Sequence, residues 1–180
     1  ATLRIEGERA ELWTGVQSIQ AAQGLVERVT GLARGNITVH NLYLGGGFGR
    51  RGTLTHIVEV AEIAMAVQKP VQLLWSREHD IQNGLYRPAS YMRISAGIDD
   101  TGRITAWHAS RAGANITGET MTNMLPAMFP RMPKSMLTGL AGSLDYVFSN
   151  WAVDPSSVEG LHETYDLPNA LVTHATVDHG

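Results

Sequence analysis

Gly45-Gly46-Gly47-Phe48-Gly49-Arg50-Arg51-Gly52 decides how this chain is read. It follows residues 37–44, where Ile37, Val39 and Tyr43 alternate with Thr38, His40 and Leu42 as in a strand. It precedes residues 56–67, where Ile57, Val60, Ala61, Ala64 and Val67 recur at helical spacing with Glu59 and Glu62 on the other face. Glycines at 45, 46, 47 and 49 let the backbone approach a bulky ligand, because no Cβ stands in the way. Successive N–H groups in such a loop can face one anion together, and the following helix adds the positive end of its dipole. Arg50 and Arg51 add formal charge. The stretch predicts a strand–loop–helix unit that cradles phosphate.

Toward the N terminus, residues 3–5 and 10–13 read as strands flanking a hairpin turn at Glu6-Gly7-Glu8-Arg9. Residues 18–32 carry Ile19, Ala22, Leu25, Val26, Val29 and Leu32 at helical spacing, with Ser18 as N-cap. Gly31 weakens the last turn of that helix, and Arg34-Gly35-Asn36 ends it. Toward the C terminus, Lys69-Pro70 stops the second helix, and residues 71–75 read as a short buried strand. Residues 76–88 read as irregular. Residues 91–98 and 103–112 form the clearest hairpin, joined by Asp99-Asp100-Thr101-Gly102. Residues 113–155 show no clean period; Met121, Met124, Met128, Met132 and Met136 within them read as adaptable core or interface filling. Residues 171–177 read as one more strand. The expectation is an α+β fold over a single domain, residues 1–180, with a mixed sheet and helices packed on one face.

At 180 residues, with 43% hydrophobic and 17% charged residues, the composition is that of a globular protein. A formal charge of −3 argues against a general nucleic-acid or membrane-surface binder. No run of apolar residues is long enough to span a membrane. The absence of cysteine excludes disulfides, thiolate metal sites and iron–sulfur ligation by this chain. Electron transfer through such clusters would need another polypeptide. The chain opens at Ala1 without an initiator methionine and reads as a piece of a longer polypeptide; no targeting segment assigns a compartment.

Several ligands could use the cradle. Gly47-x-Gly49-x-x-Gly52, with Glu78 downstream, matches a nicotinamide- or flavin-dinucleotide fingerprint. Against it, Thr53-Leu54-Thr55 delays the apolar helical face, and Gly45 and Gly46 go unused. A triphosphate loop would end in Gly-Lys-Ser/Thr, which is missing. A stand-alone interaction domain with no ligand is the non-enzyme alternative. Arg77-Glu78-His79-Asp80 reads as a salt-bridged loop after a strand. His174, Asp178 and His179 read as a solvated strand edge instead of a metal site, and His162-Glu163 lacks the second histidine of a zinc hydrolase.

The order Trp13-Thr14-Gly15-Val16-Gln17-Ser18, helix, strand-Gly-Gly-Gly-Phe-Gly, helix, strand, Ser76-Arg77-Glu78-His79-Asp80 resembles one known family. It is that of the molybdopterin-binding subunit of the molybdenum hydroxylases, the xanthine dehydrogenase and aldehyde oxidase family. Arg50-Arg51, Tyr86-Arg87-Pro88-Ala89 and Val158-Glu159-Gly160 look most like the isoquinoline 1-oxidoreductase beta-subunit branch. The resemblance runs from about Ala10 to Gly180.

The resemblance implies a molybdenum–molybdopterin cofactor, in its cytosine dinucleotide form, held by the pterin's own dithiolene sulfurs without a protein metal ligand. It implies that Gln17 hydrogen-bonds an oxygen ligand of the metal. It further implies that Gly46, Gly47, Phe48 and Gly49 contact the pterin and the metal ligands; charge and position add Arg50 at cofactor phosphate. Gly52 falls where xanthine-oxidising members carry a glutamate, which argues against a purine substrate. The family's catalytic base is a glutamate far downstream, so this chain holds no catalytic residue of its own. An aldehyde or N-heteroaromatic compound would be the small-molecule substrate, with water as oxygen source. The implied partners are the rest of the subunit and an iron–sulfur subunit.

Overall fold

The N-terminal alternation folds into a hairpin of β1 (Thr2–Glu6) and β2 (Arg9–Thr14), in antiparallel register from Thr2 opposite Trp13 to Glu6 opposite Arg9. The structure, a computed structural model, describes residues 1–49, 51–86, 88–161 and 165–177. Leu3, Ala10, Leu12 and Thr14 are buried on one face of the hairpin, while Arg4, Glu6 and Arg9 are exposed. Helix α1 (Ile19–Thr30) starts where Ser18 Oγ accepts from the Ala21 N–H at 3.2 Å. It ends two residues earlier than its apolar spacing suggests. Gly31 takes φ +74° and donates its N–H to the Glu27 carbonyl, a left-handed C-cap.

A 3-10 turn at Arg34–Asn36 leads into β3 (Ile37–Asn41), which pairs parallel with β2. Helix α2 (Thr55–Val67) then leads to β4 (Val71–Gln72), which pairs antiparallel with β1. The sheet order is β3-β2-β1-β4, and β1 runs against the other three. The carboxyl ends of β2, β3 and β4 therefore lie at one end of the sheet. Leu3, Leu12, Val26, Ile57 and Val60 are fully buried in one core between the sheet and α1 and α2. Each such side chain contributes about 1.5–3 kcal/mol relative to exposure.

These elements belong to one of two compact units, Ala1–Leu85 with Thr120–Gly139. Within it, the buried Glu27 carboxylate accepts from Arg34 Nε and Arg131 Nε, each at 2.9 Å. Arg28 Nη1 donates to the carbonyls of Pro130 and Met132 at 3.1 Å. A Cβ at Gly24 would lie 2.0 Å from the Ala127 carbonyl oxygen, so only glycine permits this approach.

The second unit, Tyr86–Glu119 with Leu140–Gly180, holds a three-stranded sheet. Strands β5 (Ser90–Ile98) and β6 (Ile104–Gly113) form the expected hairpin, and β7 (Ala170–Thr176) pairs parallel with β6. Asp99 closes the hairpin turn by accepting from the N–H groups of Thr101 and Arg103, with Gly102 at φ +85°. The α+β class and the mixed strand directions hold, with the strands distributed over two mixed sheets.

Three segments differ from the sequence reading. Residues 76–88 contain helix α3 (Arg77–Asn83), capped by Ser76 Oγ accepting from the His79 N–H at 3.2 Å. Residues 113–155 contain α4 (Ile116–Met128) and α5 (Lys134–Asn150), and the short α6 (Pro155–Val158) starts at their end. Their apolar pattern is weak, and the cap of α4 is tertiary. Buried Asp154 accepts from the N–H groups of Ile116 and Thr117 at 2.8 and 2.9 Å and from Thr117 Oγ1 at 2.5 Å. The strand expected over residues 71–75 stops at Gln72, and Leu74 is 89% exposed. None of the five methionines joins the buried core; Met128 and Met136 are exposed. His174, on the edge strand β7, is half-buried and accepts from Arg111 Nη1 at 2.8 Å. Burial and then the Arg111 charge hold its pKa below the ordinary histidine value.

Candidate functional site

The carboxyl ends of parallel strands are where open α/β sheets place ligands, because the loops there are free to diverge. In the first unit a cavity of about 560 Å³ opens at this end. The loop after β3 supplies Gly46, Gly47 and Arg51; the segment after β4 supplies Leu73, Leu74, Trp75, Ser76 and Arg77. His56, in the first turn of α2, also lines it, as does Asp80. Trp75 is fixed from both sides. Its Nε1–H donates to Glu59 Oε2 at 2.6 Å, and its ring meets His56 edge-on at 6.0 Å and His79 at 5.5 Å.

The glycine loop is built for close approach. A Cβ at Gly45 would meet nothing within 4 Å; at Gly46 it would meet only the Phe48 ring, and at Gly47 only the Arg51 side chain. Among the described residues, the N–H groups of Gly45, Gly46 and Gly47 donate to no protein acceptor. Phe48 and Gly49 both take left-handed backbone, with φ +47° and +83°, which turns the chain back on itself. The Gly52 N–H closes that turn on the Gly49 carbonyl at 3.0 Å. Left-handed backbone in a bulky residue is costly, and Phe48 is 97% exposed, so no burial offsets it.

Gln17 is brought to the far end of the same loop. The chain leaving β2 is tied to β3 by the Leu42 N–H donating to the Thr14 carbonyl at 2.8 Å and the Val16 N–H to Asn41 Oδ1 at 3.1 Å. Val16 is buried, and Gln17 beside it is exposed. The Gln17 N–H donates to the Arg51 carbonyl at 3.3 Å. Its Oε1 lies 3.1 Å from where a Cβ of residue 52 would stand, so the small residue at Gly52 leaves room for the glutamine.

Of the sequence-predicted residues, Gly46 and Gly47 line the cavity, Phe48 and Gly49 form the turn beside it, and Gln17 meets that turn at Arg51 and Gly52. Arg50 lies outside the described residues, as do Arg87, His162, Glu163, Asp178 and His179. β3 stops at Asn41, three residues short of expectation, leaving Tyr43 and Leu44 exposed at the entrance to the loop. Arg77 forms no ion pair among the described residues, contrary to the salt-bridged loop read for it. It stands in the cavity wall, which sequence reasoning missed. The signal was its place just after the carboxyl end of a strand parallel to the glycine-loop strand.

The dinucleotide reading fits this topology poorly. That fold sets its glycine loop after a central strand, with the next strand beside it. Here the glycine loop follows the edge strand β3, and α2 carries the chain past β2 and β1 to the opposite edge. Glu78 sits in the first turn of α3 and not at a strand end.

Comparison with known proteins places the chain in a family. Residues 1–133 match the family of the molybdopterin cofactor-binding domain. The chain is 37% identical over 89 residues to the isoquinoline 1-oxidoreductase subunit beta of Brevundimonas diminuta, covering 49% of this chain and 11% of that protein. It is 29% identical over 116 residues to an aldehyde oxidoreductase molybdenum-binding subunit of Escherichia coli, covering 64% and 16%. A xanthine dehydrogenase of Emericella nidulans is 32% identical over 110 residues, covering 59% and 8%. The chain thus spans a small part of the length of these relatives. With a glycine loop of this form between β3 and α2 and a family match over most of its residues, the chain belongs to the molybdopterin cofactor-binding domain family.

Proposed function

We propose that this chain forms part of the molybdenum-cofactor site of a larger molybdenum hydroxylase that oxidises an aldehyde or an N-heteroaromatic compound. The observation that carries this reading is the loop at residues 45–49: three glycines whose N–H groups meet no acceptor among the described residues, followed by an exposed aromatic on left-handed backbone. Those features fit a bulky, polar, phosphate-bearing ligand and serve no purpose in packing. The cofactor, when bound, supplies oxidation of a carbon centre with water as the source of oxygen. The protein residues bind and orient it. Gly46, Gly47 and Gly49 allow backbone contact, Phe48 offers a ring face, Arg50 adds charge, and Gln17 offers a neutral donor at the loop's end.

The finer assignments are the cytosine dinucleotide form of the cofactor and electron exit through iron–sulfur clusters on a partner subunit. They are supported by the resemblance to the isoquinoline oxidoreductase branch and by the absence of cysteine here. Among the described residues no helix is long and apolar enough to cross a membrane.

Gly47→Val in the full-length polypeptide tests the cradle. A Cβ there meets only the Arg51 side chain at 3.5 Å, and the glycine's φ is not left-handed, so the fold tolerates the change. Valine nonetheless occupies the space where the ligand approaches. The expected result is loss of molybdenum and pterin with an unchanged melting temperature; full metal content in the variant would refute the assignment.

A further inference from the structure

Two arginine side chains in the cavity wall make no ion pair or hydrogen bond among the described residues. Elsewhere in the first unit Arg4, Arg28, Arg34 and Arg131 are engaged, by Glu11, by main-chain carbonyls or by Glu27, whereas Arg9 makes no such contact among the described residues but lies outside this cavity. Arg51 and Arg77 have neither an ion pair nor a side-chain hydrogen bond among the described residues, yet both line the 560 Å³ cavity. They reach it from separate elements. Arg51 follows the glycine turn after β3, and Arg77 opens α3 after β4. The same cavity is lined by Gly46 and Gly47, whose N–H groups likewise donate to no acceptor among the described residues. Asp80 is the one carboxylate among its lining residues, so the balance of formal side-chain charge is positive. Guanidinium groups present planar, paired donors that match a phosphate's oxygens, and backbone N–H groups beside them add aligned donors.

We infer that Arg51 and Arg77, with the Gly46 and Gly47 N–H groups, form an oxyanion subsite for a phosphate group at the carboxyl ends of β3 and β4. The proposal rests on the cofactor reading for its location and extends it by naming the residues that take the anion. Arg77 lies on a different element from the glycine loop. The phosphate has two possible sources, the tail of the bound cofactor or a free phosphate ion.

The experiment uses the full-length polypeptide prepared without cofactor and titrated with inorganic phosphate, followed by calorimetry and phosphorus NMR line width. Saturable binding is expected, weakened about tenfold or more by Arg51→Ala or Arg77→Ala, which is at least about 1.4 kcal/mol. It should be largely kept by Arg51→Lys and Arg77→Lys and unchanged by Arg9→Ala, which removes a charge outside this cavity. If either alanine variant misfolds by circular dichroism, Arg51→Gln and Arg77→Gln keep the side-chain bulk and replace it. No saturable binding, binding that survives the double variant, or an equal loss in Arg9→Ala would each overturn the subsite. Repeating the titration on loaded protein separates the sources: phosphate excluded by the cofactor identifies its tail as the occupant, whereas undiminished uptake identifies a free ion. Both of these outcomes support the site. Because the first titration contains no cofactor, its failure leaves the Gly47→Val test of the cofactor reading untouched.

Discussion

Phe48 is held at φ +47° with its ring almost wholly exposed, so no burial offsets the conformation it occupies. A glycine there would relieve strain on the order of 1 kcal/mol, since the left-handed region costs a residue without Cβ nothing. Phe48→Gly should therefore leave the melting temperature level or higher while cofactor retention falls, measured by metal analysis; unchanged retention would remove Phe48 from the site. Gln17 makes a complementary case. Its main-chain N–H holds the Arg51 carbonyl regardless of side chain, so Gln17→Ala should cost little stability. Its amide is a neutral donor at the loop's end, and one well-placed donor is worth roughly 3 kcal/mol in a transition state. Turnover in the intact enzyme should fall about a hundredfold, with cofactor content and melting temperature nearly unchanged. A drop in stability without a specific drop in turnover would reduce Gln17 to a structural residue.

Among the elements, α1 and α4 show what a local reading of sequence reaches and what it does not. Helix α1 was legible because its apolar spacing, Ser18 cap and Gly31 stop all lie within the segment. Gly24, which no local pattern singles out, is where the main chain at Ala127 approaches. Gly24→Ala should destabilise the first unit by about 1–3 kcal/mol through overpacking, read as a lower denaturation midpoint. Helix α4 was illegible because its first turn is satisfied by Asp154, distant in sequence. Burial acts first on that carboxylate and would raise its pKa. The hydrogen bonds from Thr117, Ser157 and Ser156 together outweigh it and hold the group below the ordinary aspartate value. A depressed folded pKa means the stabilisation is full above the unfolded value, about 3.9, and is lost as pH falls through the folded one. Hydrogen-exchange protection at Ile116 and Thr117 should accordingly collapse below about pH 4. Asp154→Asn should weaken that protection at neutral pH by about 1–3 kcal/mol.

For the whole molecule, the strand–loop–helix unit and both hairpins were legible because their turns are written locally in glycine and aspartate, at Gly7, Gly45–Gly47 and Asp99–Gly102. The cavity wall was only half legible. The glycine loop announces itself, whereas Arg77 joins it solely through the sheet order β3-β2-β1-β4, which no local pattern encodes. The same limit bears on activity. A phosphate cradle binds and orients a cofactor, but oxidation of a carbon centre also needs a positioned base and walls that exclude water. The resemblance sets that base far beyond residue 180, and the matched portions cover only 11% and 16% of two relatives. Asp80, the one carboxylate among the lining residues of the cavity, already has an interaction of its own within the protein. The 180-residue chain supplied with cofactor should thus give no dye reduction with aldehydes or N-heterocycles, while the full-length polypeptide with its partner subunit does. Measurable reduction by the purified chain alone would show that a complete set of catalytic groups lies within these residues and would overturn the division of labour proposed for the enzyme.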